Sequence, residues 1–230
     1  MAGSRFRSRA VLFLRVVTGV LLMLALFFLP AGTFHWPEAW LFIFFYLASV
    51  SGIFIWLKKK SPSLLSERMA RKKEAKRWDR TLIMAYTSVL IALLIVPGLD
   101  AVRFRWSNVP LTLKGLGFAG LAPGLFFAFW AMRENAFASD VVRIQKDRGH
   151  TVCTTGPYRY IRHPMYLGVI LIMLFFPLSL GSLYAYIPAT VIIILFIIRA
   201  SLEDKALQQE LPGYQEYSRS VRYRLLPGVW

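Results

Sequence analysis

Cationic, aromatic and imidazole side chains crowd into the segment Gly156–Tyr166, directly before an apolar run. A charged side chain costs about 2.5–3.5 kcal/mol at the centre of a bilayer, so charges beside lipid usually hold a ligand or a partner charge. Pro157 and Pro164 fix the local chain, which predicts irregular backbone between them. Irregular backbone at membrane depth is tolerated where it is buried in protein or lines a polar cavity. The segment therefore predicts a polar cavity at a membrane face.

A second charged group follows later in the chain and consists of Arg199, Glu203 and Asp204. Between the two groups lie the apolar runs Met165–Leu180 and Leu183–Ile198, which read as an out-and-back helical hairpin. Such a hairpin returns the chain to the face at which it started, so His163 and Arg199 are predicted to lie close together at that face. Any one of these residues alone would suit an interface anchor. The set together predicts a binding site.

Motifs for several other chemistries do not occur in the sequence. The three histidines are His35, His150 and His163, and no Cys or His pair has the spacing of metal ligands, so no metal is expected. No Gly-x-Ser-x-Gly, Walker loop or helix-opening Gly-x-Gly-x-x-Gly occurs. Cys153 is the only cysteine, which excludes a disulfide within this sequence.

The composition is that of a membrane protein, with 57% hydrophobic and 17% charged residues. The apolar residues gather into six runs: Ala10–Leu29, Pro37–Leu57, Leu82–Leu99, Leu111–Met132, Met165–Leu180 and Leu183–Ile198. The first four reach the roughly 20 residues needed to cross a bilayer, and the last two are shorter. The first run is too long for the apolar core of a secretion signal and is read as a retained helix. The predicted fold class is therefore an all-α integral membrane protein with about six transmembrane helices.

Basic residues follow the positive-inside pattern. The net charge is +16, and 24 of the 28 Lys and Arg lie in segments that share one face if the N-terminus is cytoplasmic. These segments are residues 1–9, 58–80, 133–163 and 199–230. The pattern disfavours nucleic-acid binding. The block formed by Lys58–Lys60, Arg71–Lys73, Lys76 and Arg77 is instead predicted to lie along anionic lipid headgroups.

Several blocks in fixed order resemble the isoprenylcysteine carboxyl methyltransferase family. The blocks are His150–Tyr158, Arg162–Tyr166, the hairpin, Arg199-x-x-x-Glu203-Asp204 and Tyr214-x-x-Tyr217. The closing run Val221–Trp230 looks like the tail of bacterial members, which implies a bacterial cytoplasmic membrane. The resemblance is specific because the blocks lie on both sides of one hairpin.

This resemblance implies an integral membrane enzyme that transfers a methyl group from S-adenosylmethionine to a lipophilic acceptor. It implies cofactor contacts by His150, Thr151, Val152, Cys153, Tyr158, His163, Pro164, Met165, Tyr166 and Glu203. It also implies that Arg199 is the catalytic residue, because it matches the arginine that positions the acceptor carboxylate. The sequence departs from the family pattern at two positions. Arg143 stands in place of a glutamine contact, with Gln145 as the nearest amide, and Asp204 replaces a second glutamate.

The residues themselves are consistent with this chemistry. Methyl transfer from a sulfonium consists mainly of in-line positioning, because the cofactor carries a good leaving group. A carboxylate acceptor is already ionised, and Arg199 is expected to hold it through two parallel hydrogen bonds. Glu203, one helical turn later, is expected on the same helix face, where it can bind ribose hydroxyls or the cofactor's amino group. We expect the acceptor's lipid tail to enter from the bilayer between helices and the cofactor to enter from the cytoplasm.

The chain is read as one integrated domain with two parts. Residues 1–133 are predicted to form an N-terminal four-helix membrane region. Residues 134–230 are predicted to form the methyltransferase region, with the hairpin at 164–198 and a cytoplasmic tail that completes the cofactor pocket. Both termini are expected to be cytoplasmic. The expected partners are membrane lipids and a lipophilic or lipidated substrate.

Other functions remain open from the sequence alone. Related phospholipid N-methyltransferases share the hairpin, and a small thiol is a further possible acceptor. Membrane sterol and lipid reductases use a similar Arg-His-Pro-x-Tyr entrance with a nicotinamide cofactor, but they usually have Asn at Met165 and an acidic residue near Leu167-Gly168. A non-enzymatic lipid-binding protein is the third alternative, and the joint presence of His163, Arg199 and Glu203 argues against it.

Overall fold

The computed structural model describes residues 2–69 and 75–230, and in the first helix it describes the side chains of Leu14 and of residues 16–31. Within these ranges the structure is all-helical and has no β-strand, which confirms the predicted all-α class. The α-helices are α1 Ala2–Ala31, α2 Pro37–Lys60, α3 Pro62–Met69, α4 Arg77–Pro97, α5 Leu111–Glu134, α6 Pro164–Ser179, α7 Tyr186–Glu210 and α8 Tyr214–Ser220. Each of the six predicted apolar runs lies within or largely within one of these helices.

Four of the described helices are long and apolar enough to cross a membrane. They are α2, α4 together with its π-helical extension to Arg103, α5 and α7. The other two apolar helices, α6 and the Val16–Ala31 part of α1, are shorter than a full span. These helices indicate an integral membrane protein. Of the predicted headgroup-binding block, Lys58–Lys60 end α2 with exposed side chains, whereas Arg71–Lys73 lie outside the described residues.

The hairpin consists of α6 and α7 joined by a short turn. Gly181 in this turn has φ of +75°, a left-handed conformation that favours glycine. Helix α7 continues to Glu210, well past the apolar run that ended at Ile198, so the charged residues after it are helical. We call the end of the bundle at which α6 begins and α7 ends the site face. His163 and Arg199 both lie there, as the hairpin predicts.

Helix α4 and its π-helical extension carry one fully buried carboxylate near each end. Asp79 lies in its first turn at the site face. Asp100 lies in the π-helical extension at the opposite face, where its Oδ2 accepts hydrogen bonds from Ser107 Oγ (2.7 Å) and Ser182 Oγ (2.5 Å). The backbone N–H of Tyr184 donates to the same oxygen at 3.2 Å. Asp100 therefore ties the end of α4 to the turn of the hairpin.

Helices α5 and α6 pack closely because α5 presents buried glycines to its neighbour. A Cβ atom added to Gly117 would lie 2.3 Å from the backbone nitrogen of Ser179. A Cβ atom on Gly120 would lie 2.2 Å from the ring of Phe175. Small residues at such positions allow helix backbones to approach within a membrane. These contacts hold the first half of α5 against the end of α6, and the close packing continues toward the site face at Gly168 of α6, where an added Cβ would lie 2.7 Å from the backbone nitrogen of Ala128.

We expect Gly117→Ala to lower the free energy of unfolding by about 1–3 kcal/mol, because the added methyl group meets backbone that cannot move aside cheaply. The matched control is Gly115→Ala on the same helix, where an added Cβ meets nothing within 4 Å. Both variants gain the same helix propensity, so their difference isolates the packing contact. Thermal unfolding in detergent measures it. Equal melting temperatures for the two variants would contradict the close packing of α5 on α6.

Candidate functional site

A cavity opens at the site face between the loop that follows α5, the start of α6, the end of α7 and helix α8. We call it the loop cavity. Nine of the ten residues predicted to contact the cofactor line it: His150, Thr151, Val152, Cys153, Tyr158, His163, Met165, Tyr166 and Glu203. Pro164, the tenth, is buried at the first position of α6, where its fixed φ suits a helix start. The sequence blocks therefore meet around one cavity.

A second cavity lies beside the first, between α4, α6 and α7, and we call it the interhelical cavity. Its walls are largely apolar, with Leu82 and Ile83 from α4 and Val169 from α6 among them. Arg199, the predicted catalytic residue, lines this cavity and does not line the loop cavity. The residues that line both cavities are Ser139, Val141, Met165 and Tyr166. The two cavities therefore adjoin at the start of α6.

Glu203, Tyr166 and His163 form a connected group in the wall of the loop cavity. The hydroxyl of Tyr166 donates a hydrogen bond to Glu203 Oε2, and the His163 ring lies parallel to the Tyr166 ring with centroids 5.6 Å apart. No hydrogen bond to Glu203 Oε1 occurs among the described residues. His163 Nε2 is buried and also has no hydrogen-bond partner in the described part of the chain; Asp204 Oδ1 lies 3.5 Å away, without hydrogen-bond geometry. The group thus offers one carboxylate acceptor, Glu203 Oε1, to a ligand.

Asp204 has a different task from Glu203. It is fully buried and does not line the loop cavity. Arg162 donates to both of its oxygens, from Nε at 2.7 Å and from Nη2 at 3.0 Å. Further donors are Arg224 Nε at 3.0 Å, Gln208 Nε2 at 2.9 Å and the Tyr214 hydroxyl at 3.0 Å. Asp204 therefore joins α7, α8, the entrance of α6 and the C-terminal segment.

The irregular backbone before α6 is held by the C-terminal segment. The N–H of Arg162 donates to the carbonyl of Tyr223 at 3.0 Å, and the N–H of His163 donates to the carbonyl of Arg224 at 2.9 Å. Arg162 Nη1 donates to the carbonyl of Val221 at 2.8 Å. The backbone N–H groups of this irregular segment thus find hydrogen-bond acceptors within the protein.

Helix α8 contributes two tyrosines to the wall of the loop cavity. They are Tyr214 and Tyr217, and the Tyr217 hydroxyl donates to the carbonyl of Tyr158 at 2.8 Å. Burial raises the pKa of Tyr158 and of Tyr217, so both phenols stay protonated. The Tyr158 hydroxyl accepts a hydrogen bond from Asn135 Nδ2 at 3.3 Å. The C-terminal residues therefore complete the loop cavity.

His150 lies in the loop cavity as a neutral imidazole. Its ring stacks on Phe137 with centroids 4.5 Å apart, and its Nδ1 accepts a hydrogen bond from the backbone N–H of Gln145 at 3.3 Å. Burial, with a further contribution from the charges of Arg148 and Arg143, lowers the pKa of His150 to about 4. Because Nδ1 is the acceptor, the proton of the neutral ring is assigned to Nε2.

The glutamine contact of some family members has no direct counterpart here. Gln145 is buried, does not line the loop cavity, donates to the carbonyl of Phe137 at 2.8 Å and accepts from Arg148. Arg143 does line the cavity and donates to Glu67 through Nε at 3.1 Å and Nη2 at 3.0 Å. A cation paired with α3 therefore stands at this position in place of an amide.

Arg199 is already engaged by the protein. Its Nε donates to Asp79 Oδ1 at 2.8 Å, and its Nη2 donates to the carbonyl of Asp140 at 2.7 Å and to Asp79 Oδ2 at 3.4 Å. Its guanidinium carbon lies 5.4 Å from the centre of the Tyr166 ring. The expected two-point clamp on an acceptor carboxylate is therefore not available through Nε and Nη2. Within the described residues, Nη1 is the guanidinium nitrogen without a protein hydrogen bond.

Sequence reasoning missed Asp79 and the short helix α3. Arg68 of α3 donates to the carbonyl of Ala138 at 2.7 Å and pairs with Asp140 at 2.6 Å, so α3 holds the loop that lines both cavities. The available signals were an acid at the start of an apolar helix and a Glu-Arg pair after a basic run. Neither signal identifies a partner, because the contacts span at least 63 positions. No group of three or more His, Cys, Asp or Glu side chains that could hold a metal ion occurs in the described ranges.

Fold and cavities together define a helical membrane protein with two adjoining cavities at one face. Residues 121–209 match the family model of the isoprenylcysteine carboxyl methyltransferase family, which confirms the resemblance over this region. The match includes all ten predicted cofactor contacts and Arg199, whereas Asp79 and α3 lie outside it. This part of the chain is therefore similar to a family of membrane methyltransferases. No curated protein matches the chain.

Proposed function

We propose that the chain is an S-adenosylmethionine-dependent methyltransferase that methylates a lipophilic acceptor, most directly the carboxylate of an isoprenylcysteine-like substrate. The observation that carries this proposal is the pair of adjoining cavities. One is lined by the family's cofactor residues, and the other is lined by apolar side chains of membrane helices. A polar cofactor and a lipid acceptor need such different environments on the two sides of the reacting methyl group.

The residues of the loop cavity fit S-adenosylmethionine. Glu203 Oε1 is available to accept from ribose hydroxyls or an amino group. Neutral His150 adds an Nε2–H donor. The cofactor supplies an activated methyl group on a good leaving group. The chain's own contribution is to orient the two reactants and to exclude water between them.

In the proposed reaction Arg199 positions the acceptor through Nη1, and the two reactants meet beside Met165 and Tyr166, where the two cavities adjoin. A carboxylate acceptor fits this arrangement because it is ionised and needs no base. An amine acceptor would first have to lose a proton. The lipid chain of the acceptor would lie between α4, α6 and α7, with its reactive group next to Tyr166.

A small-thiol or phospholipid acceptor is a second candidate, and one observation favours it. The guanidinium of Arg199 is paired with Asp79, and that of Arg68 is paired with Asp140. The polar end of the interhelical cavity is therefore close to charge balance. A neutral or zwitterionic head group would meet no excess charge there.

We also propose that the site face is cytoplasmic and that both termini lie on that side of a bacterial inner membrane. The support is the distribution of Lys and Arg, together with the exposed Lys58–Lys60 at the end of α2. A cytoplasmic site face gives the loop cavity direct access to a water-soluble cofactor.

The decisive test is binding of S-adenosylhomocysteine to the purified protein in nanodiscs. We expect micromolar affinity, weakened about tenfold or more by Glu203→Ala, because a hydrogen bond to a charged group is lost. Glu38→Ala at the opposite face, where Glu38 pairs with Lys114 at 2.6 Å, is the control and should leave affinity unchanged. Absence of binding to the wild-type protein would refute the cofactor assignment.

Incubation of membrane lipid extract with the protein and methyl-labelled cofactor, followed by mass analysis, would identify the acceptor.

A further inference from the structure

Asp79 is the buried acid at the end of the interhelical cavity where Arg199 lies. It is fully buried in the first turn of α4 and accepts hydrogen bonds from two other elements. Arg199 approaches from α7, with Nε at 2.8 Å from Oδ1. The backbone N–H of Val142 approaches from the loop, at 2.8 Å from Oδ2. One carboxylate thus connects α4, α7 and the loop that separates the two cavities.

The pairing determines how Arg199 is presented. A guanidinium that binds a carboxylate through Nε and Nη2 has two of its nitrogens committed. Nη2 is also bound to the carbonyl of Asp140 at 2.7 Å. The guanidinium further lies over the Tyr166 ring, 5.4 Å from its centre. These contacts fix the plane of the group and leave Nη1 for a ligand.

The pairing also determines the charge of the cavity. Arg199 is ionised at all relevant pH values, and a fully buried carboxylate in contact with it cancels most of its field. Without this carboxylate the same cavity would present a bare cation beside an apolar slot. Such a site binds any anionic single-chain lipid, including lipids that are not substrates.

We infer that Asp79 is the positioning and selectivity residue of the interhelical cavity: it orients Arg199 and cancels its charge, so that an acceptor meets one directed N–H donor and non-substrate anionic lipids are not retained. This inference rests on the proposed function in taking the interhelical cavity as the acceptor site. Asp79 lies outside residues 121–209, so the inference also gives the N-terminal helices a part in choosing the acceptor.

The test uses a fluorescent fatty acid, cis-parinarate, and its uncharged methyl ester as probes of the cavity in the full-length protein. Asp79→Asn should bind cis-parinarate about tenfold more tightly than the wild-type protein, because the cation is no longer compensated. Affinity for the methyl ester should stay within about twofold, because the shape of the cavity changes little. The matched control is Asp100→Asn, which alters the other fully buried acid of this helix region, at the opposite face.

The inference is overturned if Asp79→Asn binds cis-parinarate no more tightly than the wild-type protein, if the methyl ester shows the same change, or if Asp100→Asn reproduces it. Should Asp79→Asn fail to fold, Arg199→Gln and the double variant Asp79→Asn/Arg199→Gln decide the matter. The double variant should then bind cis-parinarate at least threefold more tightly than Arg199→Gln, because it lacks the remaining negative charge. Equal affinity of these two variants would contradict the inference.

Binding of S-adenosylhomocysteine is measured on the same samples. Absence of S-adenosylhomocysteine binding to the wild-type protein would count against the proposed function. A normal value together with unchanged cis-parinarate affinity in Asp79→Asn would count against the role of Asp79 alone.

Discussion

Asp204→Ala is expected to lower the free energy of unfolding by about 3–5 kcal/mol, because it removes the acid that compensates a buried guanidinium. Arg162 is itself largely buried and would lose both of its hydrogen bonds to the carboxylate. Arg224, Gln208 and Tyr214 would each lose a partner as well. The entrance of α6 and the C-terminal segment would then no longer be joined through α7.

The preceding residue on the same helix provides the control for this prediction. Glu203 faces the loop cavity, and the Tyr166 hydroxyl is its one hydrogen-bond donor among the described side chains. Glu203→Ala should therefore leave the melting temperature in detergent nearly unchanged while weakening the binding of S-adenosylhomocysteine. Asp204→Ala should lower the melting temperature, whereas its folded fraction at low temperature should bind S-adenosylhomocysteine with nearly unchanged affinity. Similar melting temperatures for the two variants would refute the assignment of separate tasks.

Arg199→Lys is expected to reduce methyl transfer about 100-fold while leaving affinity for S-adenosylhomocysteine within about twofold. A lysine keeps the charge but has a single nitrogen, so it cannot bind Asp79, the carbonyl of Asp140 and an acceptor in the same geometry. Affinity should persist because Arg199 lines the interhelical cavity and not the loop cavity. Turnover of methyl-labelled cofactor with the acceptor found in lipid extract measures the effect.

A second arginine, at the opposite face, serves as the control. Arg103 ends the π-helical extension of α4, far from both cavities, and Arg103→Lys should not change turnover. Wild-type turnover by Arg199→Lys would remove Arg199 from the acceptor site. Loss of S-adenosylhomocysteine binding by that variant would instead show that the two cavities do not act independently.

The sequence predicted the loop cavity well because its residues lie in two compact blocks. The block His150–Tyr158 and the entrance of α6 are close in the sequence. The prolines, the glycine and the apolar run that follows therefore indicate where both blocks lie relative to the membrane face. Glu203 could be added because a hairpin must return to its starting face. Pro164 is the one predicted contact that does not line the loop cavity. It is buried at the first position of α6, where its fixed φ favours the start of the helix.

The interhelical cavity could not be predicted in the same way. Asp79 and Arg199 are 120 positions apart, and neither residue's local sequence indicates the other. Helices α3 and α8 are short and polar, so hydropathy does not reveal them, although α3 holds the loop and α8 closes the loop cavity. For the same reason the sequence predicted Arg199 but not the acid that occupies its Nε and Nη2.

The two buried acids of α4 and its extension have a mechanical consequence for lipid entry. Asp79 and Asp100 are about 30 Å apart along a helix of this length, which is close to the thickness of the hydrocarbon core. One binds Arg199 at the site face and the other binds the hairpin turn at the opposite face. The helix is thus fastened to the hairpin at both ends. Because both ends are held, the helix cannot move away from the hairpin as a rigid body. A lipid chain that enters beside Leu82 and Ile83 therefore requires bending of the helix or rotation of side chains.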